Sequence, residues 1–411
     1  MSEKRKYLRL KLACYTSSLS MSVVGNLSPV LFLTFHSLYG ISYSLLGLLV
    51  LINFVTQLCV DLIFSFFSHK FHIPSVLRIM PCFTVLGLLV YAASPILFAD
   101  CIYAGLVIGT VIFSVSAGLA EVLISPVIAE IPAKDPEREM SKLHSVYAWG
   151  VVGVIVISTV FLFFAGGKAW QLLAVLFALL PLLSALLFVG ADVPVPPSPA
   201  HTSDAVGLLK DRGVWFFVLA IFLGGAAECT MAQWCSGYIE GALGFDKIWG
   251  DLFGVAVFSA MLGLGRSLYG RFGKHIERVL FFSFLGAALC YGVAATVQNP
   301  VIGLAACALT GFCTAVLWPG NLVVAAERFP AGGVIIYALM ASGGDLGAAV
   351  GPWLVGVATD LTSASAWGQE LAASLSLLPE QLGMKLGMLL GMLFPLVGCV
   401  LAFRLWRKKQ K

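Results

Sequence analysis

The chain has 411 residues, a formal net charge of +4, 59% hydrophobic residues and only 11% charged residues. Soluble globular domains carry roughly 25% charged residues, so this composition excludes an ordinary soluble domain. The ten cysteines lie scattered in apolar stretches without a CxxC motif. This spacing predicts neither a disulfide framework nor a cysteine metal site.

Twelve apolar stretches follow one another along the chain, and each is long enough to cross a bilayer. A membrane-spanning helix needs roughly 20 apolar residues to cross about 30 Å of hydrocarbon. The predicted spans are residues 12–35, 43–66, 76–94, 101–128, 144–165, 169–189, 214–239, 248–269, 279–297, 301–325, 334–359 and 383–403. Backbone polar groups in lipid must be satisfied within the protein, so runs of this length predict helices.

The basic residues lie almost entirely on one side of the predicted membrane. With the N-terminus in the cytoplasm, only Lys168, Lys247 and Lys385 fall on the outer side. Because cytoplasmic loops of membrane proteins carry an excess of Lys and Arg, we expect both termini in the cytoplasm. The expected location is the cell membrane, plasma or inner, as a multi-pass protein.

The composition changes in residues 191–213, which contain four prolines and several charged side chains. Such a stretch is typical of a linker. We therefore predict an N-terminal six-helix bundle in residues 1–190 and a C-terminal six-helix bundle in residues 214–411, joined by a cytoplasmic linker. The predicted fold class is an all-α polytopic membrane protein with twelve transmembrane helices in two pseudo-symmetric bundles.

The two halves also repeat a motif at matching positions. The fourth predicted span has Pro126 followed by Glu130, and the tenth has Pro319 followed by Glu327. A proline inside a helix bends or ends it. Secondary transporters are commonly built from two such structural repeats, and the repeat therefore favours this class.

Four acidic residues lie within the predicted spans and away from their ends: Asp61, Glu121, Glu228 and Asp345. An acid inside hydrocarbon is costly and marks a pathway or a site. Glu121, Glu228 and Asp345 are the candidates for proton coupling, whereas Asp61, near the cytoplasmic end of its span, is a candidate for gating or structure.

Polar and aromatic side chains on the same spans are candidates for binding a solute. They recur at helical spacing, as in Asn53, Gln57 and Asp61, which lie four residues apart on one helix face. The candidates are Asn26, Asn53, Gln57, Gln233, Trp234, Tyr238, Trp318 and Asn321. Polar contacts between helices and core packing of the aromatic rings remain the alternatives.

Motifs on two spans resemble the fucose permease-like (fucose–galactose–proton symporter) branch of the major facilitator superfamily. The residues that carry the resemblance are Gly225-Ala226-Ala227-Glu228, Trp234, Tyr238, Leu243-Gly244, and Glu121 before Ser125-Pro126. The superfamily's loop signature survives in part as Arg271, Gly273 and Lys274, with Gly270 in place of its acid. The resemblance implies two six-helix bundles, a cavity lined by Glu121 and Glu228, and a gating or structural role for Arg271 and Gly273.

The expected function is secondary active transport of a small polar solute, a sugar or related metabolite, by alternating access and in symport with protons. The expected partners are that solute, protons or sodium, and the lipid bilayer. A drug or metabolite efflux antiporter of the same fold is the alternative. The chain lacks HExxH, GxSxG and Walker A motifs, so no enzyme activity, cofactor or metal is expected. We expect a monomer that binds no nucleic acid.

The proton is expected on Glu121, with Glu228 as the alternative. Desolvation favours the protonated form of a carboxylate, and no Lys or Arg is predicted deep inside a span to hold either acid ionised. Gln57, Glu121, Glu228 and Trp234 are predicted to face one central cavity near the middle of the membrane.

Overall fold

A computed structural model describes residues 7–67, 70–132, 136–194, 210–244, 250–272, 275–329 and 333–409, and nearly all of them are helical. The α-helices are α1 Leu8–Val30, α2 Phe32–Tyr39, α3 Tyr43–Phe67, α4 Ile73–Leu97, α5 Ile102–Ala129, α6 Pro136–Ala165, α7 Trp170–Phe188, α8 Arg212–Gly241, α9 Val257–Phe272, α10 Ile276–Thr296, α11 Pro300–Thr314, α12 Leu317–Arg328, α13 Gly333–Ala364, α14 Ala366–Ser374 and α15 Pro379–Lys409. A short 3-10 helix, Gly167–Ala169, precedes α7, and a π-helix, Gly250–Ala256, precedes α9.

Each of the twelve predicted spans coincides with one helix or with two consecutive helices. Among the described residues, eight helices are long and apolar enough to cross a membrane, and the bent pair α1 and α2 makes a ninth. Two shorter apolar helices, Trp149–Ala165 and Phe253–Tyr269, lie in further predicted spans. The all-α polytopic fold class is therefore confirmed.

Among the residues that the structure describes, two of the predicted spans are interrupted. The first bends by 46° between α1 and α2, just after Pro29, whose ring disturbs the helix. The tenth breaks between α11 and α12 at Ala315 and Val316. Pro319 follows in the first turn of α12, where a missing N–H is tolerated.

The chain divides into two compact units, of which the first comprises Met1–Ser28 and Val55–Thr202. Its core joins Leu10, Leu77, Leu123 and Phe188 from four helices. Helices α4 and α5 approach closely at glycine, since a Cβ on Gly109 would lie 2.8 Å from the Tyr91 backbone nitrogen. Small residues permit this close packing between membrane helices.

The second unit comprises Pro29–Phe54 and Ser203–Lys411. Its core joins Val214, Leu280, Leu317 and Met340 from α8, α10, α12 and α13. Helix α13 packs on α8 through glycine, because a Cβ on Gly343 would lie 3.0 Å from the Val218 carbonyl oxygen.

Pro29–Phe54 belongs to the second unit through contacts of α3 with α13 and α15. The Asp360 carboxylate accepts hydrogen bonds from the backbone N–H groups of Tyr43 and Ser44, at 3.1 and 2.6 Å. The Tyr43 hydroxyl donates to Glu380 at 2.9 Å. The boundary between the two compact units therefore differs from the sequence-based division into residues 1–190 and 214–411. That division stays a proposal about the structural repeat.

Candidate functional site

An ion pair lies inside the second unit. The Arg266 Nη2–H donates to Glu228 Oε1 at 3.0 Å, and the two side chains are 45% and 12% exposed. Glu228 is 16 residues from the start of α8, or about 24 Å along the helix. The expectation that no basic residue holds the acids inside the spans ionised is therefore wrong for Glu228, because the long Arg266 side chain crosses from α9 to α8.

A second contact fixes the Arg266 guanidinium. Its Nε–H donates to the Ala315 carbonyl oxygen at 3.2 Å. In an uninterrupted helix that carbonyl would accept from residue 319, but Pro319 has no N–H. The helix break between α11 and α12 thus creates an acceptor, and Arg266 satisfies it.

Arg266 points away from the apolar surface of α9. Leu264 and Leu268 lie one turn apart and are exposed, as expected of a side that faces lipid. Arg266 lies on the other side, together with Ser259 and Gly263, which precede it by two turns and by one turn. A Cβ added to Gly263 would meet no neighbouring atom within 4 Å, so open space adjoins Arg266.

Trp318 packs near this ion pair. A Cβ on Gly225 would lie 3.1 Å from the Trp318 ring, and a Cβ on Gly344 would clash with the same ring. Gly225 and Glu228 are three residues apart and share one side of α8. The half-buried Trp318 therefore lies against the side of α8 that carries Glu228.

The other two aromatic candidates are packed in the core of the second unit. Trp234 is fully buried, and its Nε1–H donates to the Pro352 carbonyl oxygen at 2.7 Å. Tyr238 is also fully buried and donates to the Ala294 carbonyl oxygen at 2.6 Å. Ala294 lies in the last turn of α10, where carbonyl groups lack helical partners. The structure therefore gives both residues packing contacts, and the expected exposure of Trp234 to a cavity is not observed.

The remaining candidates of the second unit are buried. They are Asn53, Gln233, Asn321 and Asp345. The Asn321 Nδ2–H groups donate to the carbonyl oxygens of Leu317 and Ala220 at 2.7 and 3.4 Å. Arg271 lies in α9 but its side chain is outside the described part of the chain, as is Gly273.

In the first unit, two carboxyl groups come together. Oxygen atoms of Asp61 and Glu121 lie within 4.8 Å of each other, with Asp61 buried and Glu121 exposed. Gly118 permits this approach, because a Cβ there would lie only 3.1 Å from the Gln57 Cα and 2.9 Å from the Val60 Cβ. From the sequence, Asp61 is a candidate for gating or structure and Glu121 a candidate for proton coupling. The structure brings their carboxyl groups together.

Glu121 is exposed on the polar side of α5. It follows Thr110 and Ser114 on one helix face, and both of those residues are buried. The exposed apolar residues of α5, Ile108 and Val111, lie on another face. In the described part of the chain, Glu121 forms no ion pair with a basic residue.

Gln57 and Asn26 complete the candidates of the first unit. Gln57 is buried beside Gly118. The half-buried Asn26 donates to the Ser22 carbonyl oxygen at 2.9 Å, a contact within its own helix. The Ser22 hydroxyl donates to the Tyr147 carbonyl oxygen at 2.9 Å. The shared cavity of Gln57, Glu121 and Glu228 stays a prediction.

An apolar helical protein with ionisable side chains between its spanning helices is typical of a membrane transporter. The sequence profile of the Major Facilitator Superfamily matches residues 13–352, and the chain belongs to that superfamily. It is therefore a multi-pass membrane transporter and not an enzyme.

Solved structures share the fold at low sequence identity. A D-xylose-proton symporter is 16% identical over 95% of this chain and 97% of its own, with a TM-score of 0.71. The nucleoside transporter NupG is 13% identical over 98% and 99%, with a TM-score of 0.67. The E. coli fucose:proton symporter FucP is 15% identical over 96% and 99%, with a TM-score of 0.56. A comparison with curated protein sequences finds no match.

Proposed function

We propose that the chain moves a small polar solute, a sugar or related metabolite, across the cell membrane by alternating access and in symport with protons. The observation that carries the proposal is the carboxyl pair, Asp61 and Glu121, whose oxygen atoms lie within 4.8 Å. Two negative charges at this distance repel each other, and one bound proton removes the repulsion. The carboxyl pair is therefore a proton site with one buried and one exposed member.

The exposure of Glu121 supports this role. A proton carrier must exchange with water, and Glu121 is exposed on the face of α5 that carries Thr110 and Ser114. Glu228, in contrast, is neutralised by Arg266 at 3.0 Å. The proton is therefore assigned to the carboxyl pair, and Glu228 with Trp318 is assigned to the solute. Xylose and fucose symporters that use protons share this fold.

Transport in proteoliposomes tests the proposal. A thermal-shift screen of the purified protein against sugars, sugar acids, amino acids and cationic drugs first selects the solute, since a ligand stabilises the state that it binds. Glu121→Gln and Asp61→Asn should keep exchange of the solute between the two sides but lose accumulation driven by a pH gradient. Glu130→Gln, which changes an exposed acid just beyond α5, is the matched control and should keep both activities.

Unchanged pH-driven accumulation in Glu121→Gln would overturn the assignment of the proton. Accumulation driven by sodium without proton movement would overturn the symport with protons. Export of lipophilic cations, with no exchange of any sugar, would replace the proposal by the efflux antiporter.

A further inference from the structure

Arg266 retains unused hydrogen-bond donors. A guanidinium carries five N–H groups. In the described part of the chain, one donates to Glu228 Oε1 and one to the Ala315 carbonyl oxygen. Three N–H groups remain, on a side chain that is 45% exposed. A positive charge with free donors is thus held in place by two contacts.

The surroundings give a solute access to these donors. Arg266 lies on the side of α9 away from the exposed Leu264 and Leu268. Gly263, one turn earlier, adjoins open space. The half-buried Ser259, one turn before that, adds a hydroxyl to the same side. An exposed guanidinium between apolar helices needs a polar environment, because hydrocarbon does not solvate it.

The geometry of the ion pair leaves room for a second anion. Glu228 engages Arg266 through Oε1 alone, whereas Arg can bind a carboxylate through two parallel hydrogen bonds. Glu228 Oε2 is buried and has no hydrogen-bond partner among the described residues. Glu228 is therefore an incomplete partner for Arg266, and the exposed edge of the guanidinium retains capacity for polar groups of a ligand.

We propose that Arg266 is an anion subsite, and that the transported solute carries a carboxylate which binds the exposed edge of its guanidinium. The solute would then be an organic acid, such as a sugar acid. This inference rests on the proposed function, since the ligand of the subsite is the transported solute. A neutral sugar needs no guanidinium, because hydroxyl and amide groups suffice to bind it.

Binding to paired probes tests the subsite. Each carboxylate is compared with a neutral counterpart by thermal shift and calorimetry: gluconate with sorbitol, galacturonate with galactose, lactate with propane-1,2-diol, and succinate with butane-1,4-diol. At least one carboxylate should bind, and at least tenfold more tightly than its counterpart. Failure of every carboxylate to bind, or equal binding of the neutral counterparts, would overturn the proposal.

Variants then locate the charge that is recognised. Arg266→Lys keeps the positive charge but loses the forked donors, and it should weaken binding of the carboxylate at least tenfold. The double variant Arg266→Gln with Glu228→Gln removes both charges, keeps the pair neutral, and should abolish the preference for the carboxylate. Arg278→Gln, at an exposed arginine on α10, is the control and should bind like the wild type. An unchanged preference in the double variant would overturn the subsite.

The two proposals fail in different ways. Binding of a carboxylate that depends on Arg266, without accumulation driven by a pH gradient, would leave the subsite standing and remove the symport with protons. Accumulation of a neutral solute driven by a pH gradient, unaffected in Arg266→Lys, would leave the symport standing and remove the subsite.

Discussion

Replacement of Asp360 should destabilise the second unit by a predictable amount. The first N–H groups of an α-helix have no partner within the helix. Asp360, on α13, accepts from two of these groups at the start of α3, at 3.1 and 2.6 Å. Removal of such a capping acceptor costs roughly 0.5–2 kcal/mol, and a carboxylate near a helix N-terminus adds roughly 0.3–1 kcal/mol.

We therefore expect Asp360→Ala to lower the free energy of unfolding by about 1–3 kcal/mol. Asp360→Asn keeps one acceptor oxygen but loses the charge and one of the two hydrogen bonds, so it should cost less than Asp360→Ala, about 0.5–2 kcal/mol. Chemical denaturation in detergent micelles, followed by tryptophan fluorescence, measures both changes. Asp100→Ala, at an exposed acid beyond α4, is the control and should change the free energy of unfolding by no more than about 0.5 kcal/mol.

Two results would refute this reasoning about Asp360. A loss below about 0.5 kcal/mol in Asp360→Ala would mean that water satisfies the start of α3 equally well. Equal losses in Asp360→Ala and Asp360→Asn would mean that the acceptor oxygen kept by Asn contributes nothing and that the charge accounts for the whole loss. Either result would also mean that the hydrogen bonds to Asp360 are not what holds Pro29–Phe54 in the second unit.

Three further predictions concern packing and charge. Gly118→Leu should lower the free energy of unfolding by about 1–3 kcal/mol through overpacking, and it should reduce pH-driven accumulation more than exchange. The control Gly153→Leu, where a Cβ would meet nothing within 4 Å, should do neither. Equal effects of the two variants in transport assays would contradict this prediction. Glu228→Gln alone should lower the free energy of unfolding by about 1–3 kcal/mol, which is less than for a fully buried ion pair because Arg266 is 45% exposed. The double variant that adds Arg266→Gln should recover stability in the same denaturation assay. Tyr238→Phe should cost about 0.5–1.5 kcal/mol through its lost hydrogen bond and leave solute binding intact; a loss of binding without a loss of stability would restore its ligand role.

The sequence predicted the spans well because their signal is local. Each span is a continuous apolar run, and the helices begin and end within a few residues of the predicted limits, apart from α6, α13 and the two terminal spans. The bend after Pro29 and the break before Pro319 also have local causes in proline. Pairing between helices has no such local signal. Asp61 and Glu121 are 60 residues apart in sequence, and only the approach of α3 to α5 at Gly118 brings their carboxyl groups together.

Arg266 shows where sequence reasoning could have gone further and where it had to stop. Pro319 guarantees that the Ala315 carbonyl lacks its usual helical donor, so a donor from elsewhere was required. Nothing in the sequence identifies that donor, and the position of Arg266 six residues before the end of α9 suited a topology anchor equally well. The structure identifies that donor, because the Arg266 side chain donates to both the Ala315 carbonyl oxygen and Glu228 Oε1. A residue held by a broken helix on one side and an acid on the other is fixed in orientation, and a fixed guanidinium can select a carboxylate by geometry as well as by charge.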